Sequence, residues 1–240
     1  MRYQIYVLNK KADTSRLEHF RIQAQRLRQS YVRIEAYETE AVMETELAQR
    51  YDSNLNEVKY YRSLTPSEIT TYVNHRQVWQ RVIDDEVDFA IVLEDDVLLA
   101  NSFTYVPRTV TQLESEWDII KLAEPYQRVK SVGLERIGAA TFVRYPNIPL
   151  GLCAYVISAS AAQTMLDWSD SFFRPLDVDM QWCWQPGIKV RGLRPYPVQM
   201  SHRLGRLPMP VALMKKHQVR RFVGFKEKIK YRWQKRLQGN

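Results

Sequence analysis

Residues 64–99 read LTPSEITTYVNHRQVWQRVIDDEVDFAIVLEDDVLL. Thr65, Pro66 and Glu68 open the stretch as a helix start: a hydroxyl to cap, a proline at the first helical position, and a glutamate three residues after the cap to close a capping box. Ile69, Tyr72, Val73, Trp79, Val82 and Ile83 then recur at helical spacing, and the acidic run Asp84-Asp85-Glu86 ends the helix. Phe89 to Leu93 (FAIVL) is an unbroken apolar run, the pattern of a fully buried parallel strand, and it leads directly into Glu94-Asp95-Asp96. A helix followed by a buried strand that ends in charge is a unit of an α/β sheet, whose ligands lie outside the carboxyl ends of the strands.

Working outward, Tyr3 to Leu8 is a β-branched and aromatic run, followed by Asp13, Thr14 and Ser15 as N-caps for an apolar stripe at Leu17, Phe20, Ala24 and Leu27. Tyr31 to Tyr37 alternates with period two, which completes a β-α-β opening. Residues 39–63 read as an insertion loop with some helix. Downstream, Trp117 to Leu122 and Leu150 to Ser158 are strand candidates, the latter leading into a helix over Ala159 to Leu166, so that strand and helix are expected to alternate throughout. Six prolines between Pro175 and Pro210 predict an irregular C-terminal third wrapped on the sheet. Residues 1–210 are expected to form one domain and 211–240 a separate tail.

The chain has 240 residues, 45% hydrophobic and 26% charged, with two cysteines, a composition that excludes collagen, disordered and disulfide-framework classes. Cys153 and Cys183 are expected to be free thiols in a reducing compartment, and the apolar run at the N-terminus is too short for a signal or a membrane span. The net charge of +8 is concentrated at one end: from Met200 onward there are twelve Lys or Arg and one acid, about +11, against about −3 for the rest.

Three successive acids at the end of a buried strand raise one another's pKa and resist ionisation without a counter-ion. A divalent metal resolves this, and hard oxygen ligands suit Mg²⁺ or Mn²⁺ bridged to substrate phosphates. Strand alternation places Glu94 and Asp96 on one face with Asp95 between them. The competing reading is a plain acidic turn after a strand.

Residues 64–99 resemble the central signature of glycosyltransferase family 25, the lipooligosaccharide galactosyl- and glucosyltransferases: a helix with a Ser-His pair and a Trp, then a strand ending in Glu-Asp-Asp. The resemblance extends to Asn9 and Arg16, to Ile119-Ile120-Lys121-Leu122, to Gly151 through Ser158 with Tyr155, and to Pro175-Leu176-Asp177. Two positions depart from it: Asn74 stands where the family has Ser, and Leu152 where a small hydroxyl residue often follows the glycine. The resemblance implies a single GT-A, Rossmann-like nucleotide-sugar-binding domain and an inverting transfer of a hexose from a nucleotide sugar, most often UDP-galactose, with Glu94-Asp95-Asp96 as a DxD-type motif. Under it Glu94 and Asp96 bind metal and diphosphate, and Asp95 the ribose or sugar hydroxyls. His202 is a candidate third metal ligand. Asp177 is the candidate general base with Asp179 as its rival, each alternatively a helix N-cap. Asn9, Arg16, His75, Lys121 and Gly151 are candidate donor-binding residues, with a packed core histidine as the other reading of His75.

From Val219, the apolar positions Phe222, Phe225, Ile229, Trp233 and Leu237 recur every three or four residues among Lys and Arg, which makes a basic amphipathic helix. The expected partners are a UDP-sugar donor, a lipid-linked oligosaccharide acceptor, and an anionic membrane surface met by this tail. They place the protein in the cytoplasm, peripheral on the inner face of a bacterial inner membrane. The alternatives are a UDP-glucose donor, a catalytically silent module, a tail helix packed on the domain, and nucleic acid, for which no recognition motif is present.

Overall fold

The computed structural model describes residues 1–126, 128–201, 229–231 and 233. Ten strands are described: β1 (Tyr3–Lys10), β2 (Val32–Ala36), β3 (Phe89–Glu94), β4 (Val97–Leu99), β5 (Ile119–Lys121), β6 (Val132–Ile137), β7 (Ala140–Arg144), β8 (Ala154–Ser158), β9 (Val190–Arg194) and β10 (Val198–Met200). The helices are α1 (Thr14–Arg26), α2 (Thr39–Met43), α3 (Ser53–Lys59), α4 (Pro66–Asp84), α5 (Val106–Thr111), α6 (Ala159–Trp168) and α7 (Leu176–Asp179).

Eight strands make one mixed sheet in the order β2-β1-β3-β8-β5-β9-β7-β6, and β4 pairs with β10 apart from it. β1 is parallel to both β2 and β3, whereas β8 runs antiparallel between β3 and β5. β5 and β9 are parallel again, and β7 is antiparallel to both β9 and β6. The β-α-β opening and the buried strand after the long helix are therefore present, but β3 has a parallel neighbour on one side only.

Strand alternation divides the core into two layers. Ala90 and Val92 of β3 face a cluster with Tyr72, Val73 and Trp79 of α4 and Met165 of α6, while Phe89, Ile91 and Leu93 face Phe20 and Ala24 of α1 and Val110 of α5. The capping box of α4 is complete: Thr65 Oγ1 accepts from the Glu68 N–H, and the Glu68 carboxylate accepts from the Thr65 N–H at 2.8 Å. Arg62 holds the same carboxylate with bonds of 2.5 and 2.8 Å, so the start of α4 is pinned from outside the helix. Both cysteines are buried and free. Among the described residues no helix is long and apolar enough to cross a membrane.

Two expectations are corrected. The proline-rich stretch after Pro175 is not merely wrapped on the sheet, because β9 is an internal strand between β5 and β7; Pro195 and Pro197 lie just beyond β9 and before β10, where no ladder bond is lost. Strand and helix do not alternate throughout either, since β6 and β7 form a hairpin whose turn contains Gly138 at φ +58°. The proposed boundary near Pro210 lies outside the described residues.

β9 joins the sheet closely because Gly192 lacks a side chain: a Cβ there would overlap the Tyr145 ring. Gly192→Ala is expected to destabilise the fold by about 1–3 kcal/mol, the usual range for forced overpacking, and Tyr145→Ala is expected to recover part of that loss. Urea titrations of the single and double variants check it.

Candidate active site

The site lies at the carboxyl end of β3, where the strand hands over to Asp95 and Asp96. Asp95 turns toward β1 and α1: Asn9 Nδ2 donates to it at 2.7 Å, and Arg16 lies 3.5 Å from its other oxygen. Asn9 also donates to the Asp13 carbonyl at 2.9 Å, which fastens the start of α1 to the same point. Asn9 and Arg16 therefore hold Asp95 in place, and burial still raises the Asp95 pKa. The Asp96 carboxyl is pushed up to about 6, by burial first and then by the charges of Glu94 and Asp95. Its Oδ1 is buried with no hydrogen-bond partner among the described residues, while its carbonyl accepts from the Ser201 N–H at 2.8 Å.

Three aromatic side chains form a chain that ends beneath Glu94. The Trp79 indole, which only donates, gives its proton to the Tyr155 hydroxyl at 3.0 Å, and that hydroxyl lies 2.9 Å from His75 Nδ1. If Tyr155 donates onward, His75 carries its proton on Nε2, which faces Glu94 Oε1 at 3.6 Å. His75 is fully buried, as a packed core histidine would be, and offers no surface to a donor sugar. Its position is that of a residue acting through Glu94. Asn74 beside it caps the end of β2, accepting from the Tyr37 N–H at 2.8 Å.

β5 and β8 supply the opposite wall. Lys121 is buried and donates to the Gly151 carbonyl, and burial pushes its pKa down to about 8 against the raising influence of Cys153, Asp177 and Glu94. Gly151 has φ +85°, and a Cβ there would overlap Pro125 and press on Tyr126, so only glycine lets that loop lie so close. Tyr126 comes under the charges of Glu94, Asp177 and Asp96, and with burial its pKa rises to about 12. Cys153 is likewise driven up to about 12, chiefly by burial, and is a packed thiol rather than a nucleophile.

The two aspartates of α7 face different surroundings. Asp177 is half-buried, and burial raises its pKa against the lowering influence of the Val178 N–H, Lys121 and Arg62. Asp179 is buried, accepts from the Tyr72 hydroxyl at 2.6 Å and sits 2.6 Å from Arg174. Its engagement with these two groups removes Asp179 as a base candidate. Neither aspartate is the N-cap, a position held by Pro175.

The structure thus gathers Glu94, Asp96, Lys121, Gly151 and Asp177 around one edge, with Asn9, Arg16 and Asp95 behind it. His202 lies outside the described residues. Among the described residues no three His, Cys, Asp or Glu side chains are placed to hold a metal by themselves. Glu94 and Asp96 fit a hard cation that takes its remaining ligands elsewhere, since Asp96 Oδ1 is buried without a hydrogen-bond partner among the described residues. Tyr126 had no signal in the sequence, because it lies in an irregular loop. Tyr155 was noted, but not its role as the relay between Trp79 and His75.

A mixed α/β domain with acids and a buried lysine at the carboxyl end of its strands belongs to the class that holds charged small ligands at that edge. The model of glycosyltransferase family 25 (LPS biosynthesis protein) matches residues 2–182, and the chain belongs to that family. Its relatives include human procollagen galactosyltransferase 2, 31% identical over 124 residues that make up 49% of this chain and 19% of the relative. A bovine protein named probable inactive glycosyltransferase 25 family member 3 is 28% identical over 126 residues, 49% of this chain and 20% of its own. The chain spans about a fifth of the length of these relatives. Among solved structures, a glycosyltransferase involved in glycosylation of the PBCV-1 major capsid aligns over 70% of this chain and 65% of its own, with TM-score 0.40 and 9% identity. A 4-diphosphocytidyl-2C-methyl-D-erythritol synthase from Anaerococcus prevotii aligns over 88% and 92%, with TM-score 0.45 and 10% identity.

Because the folded-state pKa of Asp96 lies above its unfolded value, the native state binds the extra proton between about pH 4 and 6. Stability from this residue is therefore present below pH 4 and lost as pH rises to 6, on the order of 3 kcal/mol. In chelator, Asp96→Asn is expected to melt several degrees higher than wild type at pH 7.5 and to lose that advantage near pH 4; an equal offset at both pH values would contradict the electrostatic cause.

Proposed function

We propose that the chain transfers a hexose, galactose from UDP-galactose, with inversion to a lipid-linked lipooligosaccharide or lipopolysaccharide acceptor. The observation that carries the reading is the assembly of Glu94, Asp96, Lys121 and Asp177 at one strand end of a family 25 chain. The galactose donor is supported by the name of the human relative, and the acceptor class by the description of the family.

In this reading Asp177 accepts the proton of the acceptor hydroxyl as that oxygen bonds to the anomeric carbon. The bond from the anomeric carbon to the diphosphate breaks, and UDP leaves with the electron pair. A carboxylate with a raised pKa is a stronger base than an ordinary one, which suits Asp177 to this step. Lys121 supplies positive charge beside the leaving diphosphate, worth more in a dry wall than in water. Glu94 and Asp96 would hold Mn²⁺ or Mg²⁺, which when bound neutralises charge on the diphosphate. Asp95, fixed by Asn9 and Arg16, is left to meet donor hydroxyls.

The membrane part of the proposal concerns the C-terminal residues. Ile229 and Trp233, one turn apart, are exposed, while Tyr231 packs on Trp182 and Trp184. Apolar side chains turned outward among bases suit an anionic leaflet, at about 1 kcal/mol per base near the surface. The name of the bovine relative supports a second reading, a donor-binding module without turnover.

Calorimetric titration of UDP-galactose, UDP-glucose and UDP, each with Mn²⁺ and with chelator, is expected to show metal-dependent binding that Asp96→Ala abolishes in a folded protein. Asp177→Asn is expected to retain donor binding and lose transfer by roughly 10²- to 10⁴-fold, the usual contribution of a general base. Asp179→Asn is instead expected to lower stability by about 3–5 kcal/mol, because it leaves Arg174 buried without its carboxylate. Donor binding without transfer in the wild type would favour the silent module.

Truncation after Pro210 is expected to release the protein from anionic vesicles in flotation assays. Undiminished flotation would remove the tail from membrane binding.

A further inference from the structure

Behind α7, away from the acidic cluster, a cavity of about 280 Å³ is lined in part by Lys59, Trp168, Phe173, Arg174, Trp182 and Lys230. Arg174 is 3% exposed and lies between two aromatic rings, 4.6 Å from the centroid of Phe173 and 4.6 Å from that of Trp182. Asp179 and the Gln185 amide oxygen meet its Nη2, while its Nε is buried with no hydrogen-bond partner among the described residues. Lys59 lies 5.8 Å from the Phe173 centroid. Neither Lys59 nor Lys230 forms an ion pair among the described residues. Tyr231 seats the segment bearing Lys230 on the cavity wall, its ring 5.4 Å from Trp182 and 5.3 Å from Trp184.

Aromatic faces beside fixed and mobile cations match a particular kind of ligand. The C–H face of a pyranose packs on an aromatic ring, whose face carries partial negative charge. A phosphate or carboxylate on the same sugar pairs with ammonium and guanidinium groups, most strongly where water is excluded. A purely apolar ligand would leave the ammonium groups of Lys59 and Lys230 unanswered, and a bare anion would make no use of the aromatic wall.

We propose that this cavity is a subsite for a saccharide unit carrying phosphate or carboxylate within the acceptor glycan, held apart from the reacting hydroxyl. The proposal rests on the transferase reading above. Helix α7 is the partition: Asp179 braces Arg174 on the cavity side, and Asp177 stands on the side of the acidic cluster. Binding energy gathered at a remote unit then serves to orient the hydroxyl that reacts.

The test is direct binding to the full chain without donor or metal, read by tryptophan fluorescence, so it is independent of transfer. The probes are glucose 6-phosphate, glucuronic acid, glucose and inorganic phosphate, each against wild type and the double variant Lys59→Ala/Lys230→Ala, whose substitutions are at exposed positions. Saturable binding of the two charged sugars is expected, at least tenfold weaker for glucose and for inorganic phosphate, and at least tenfold weaker in the double variant. Absence of saturation, or equal affinity for glucose, for inorganic phosphate or in the double variant, overturns the subsite. Charged-sugar binding in a protein that does not bind UDP-sugars would leave a saccharide site and defeat the transferase reading alone; UDP-sugar binding without charged-sugar binding would do the reverse.

Discussion

Strand β3 is covered on both faces and paired along both edges, so none of its side chains through Leu93 meets water. Charge can appear only where the strand ends, and there three carboxylates follow one another. The remaining architecture around the site answers that crowding. Asn9 and Arg16 draw Asp95 to one side, the Trp79-Tyr155-His75 chain ends 3.6 Å from Glu94, and Asp96 keeps an oxygen without a hydrogen-bond partner among the described residues. An arrangement that is unfavourable in isolation persists because the surrounding layers are firmly packed, which is how functional strain is usually supported.

Much of this was legible where a local signal coincided with the global fold. The capping box, the helical spacing and the apolar run of residues 64–99 each point to the same α/β unit, and the acids at its end point to the same edge. Hidden elements were those whose local signals conflict with their environment. β9 carries a glycine and is followed by prolines, a composition that reads as irregular, yet its neighbours in the sheet accept the glycine because Tyr145 occupies the vacant space. The β6–β7 hairpin has two exposed apolar residues on its outer strand and no clean alternation to announce it.

The site residues divide along the same line. Adjacent acids in sequence are adjacent in space, so Glu94, Asp95 and Asp96 were readable together. Asp177 and Asp179 were not separable, because two residues on a short turn have opposite surroundings only once Tyr72 and Arg174 are placed 107 residues upstream and five residues before Asp179, respectively. His75 illustrates the limit of pattern most plainly. Its helix position placed it near the cluster, but only the hydroxyl of Tyr155, on β8, fixes its ring so that Nε2 lies 3.6 Å from Glu94.

The reversed direction of β8 has a further meaning for how such a site is built. Since β8 runs against β3 and β5, its beginning rather than its end arrives at the edge where they finish, and the backbone of Gly151 reaches the buried lysine from a connecting segment. That segment, between β7 and β8, is held at Tyr145 beside Gly192 and at Gly151 beside Lys121, whereas the acids are anchored in the sheet itself. The two sides of the edge are thus built differently, the acids by a strand buried on both faces and the lysine's partner by the backbone of a connecting loop.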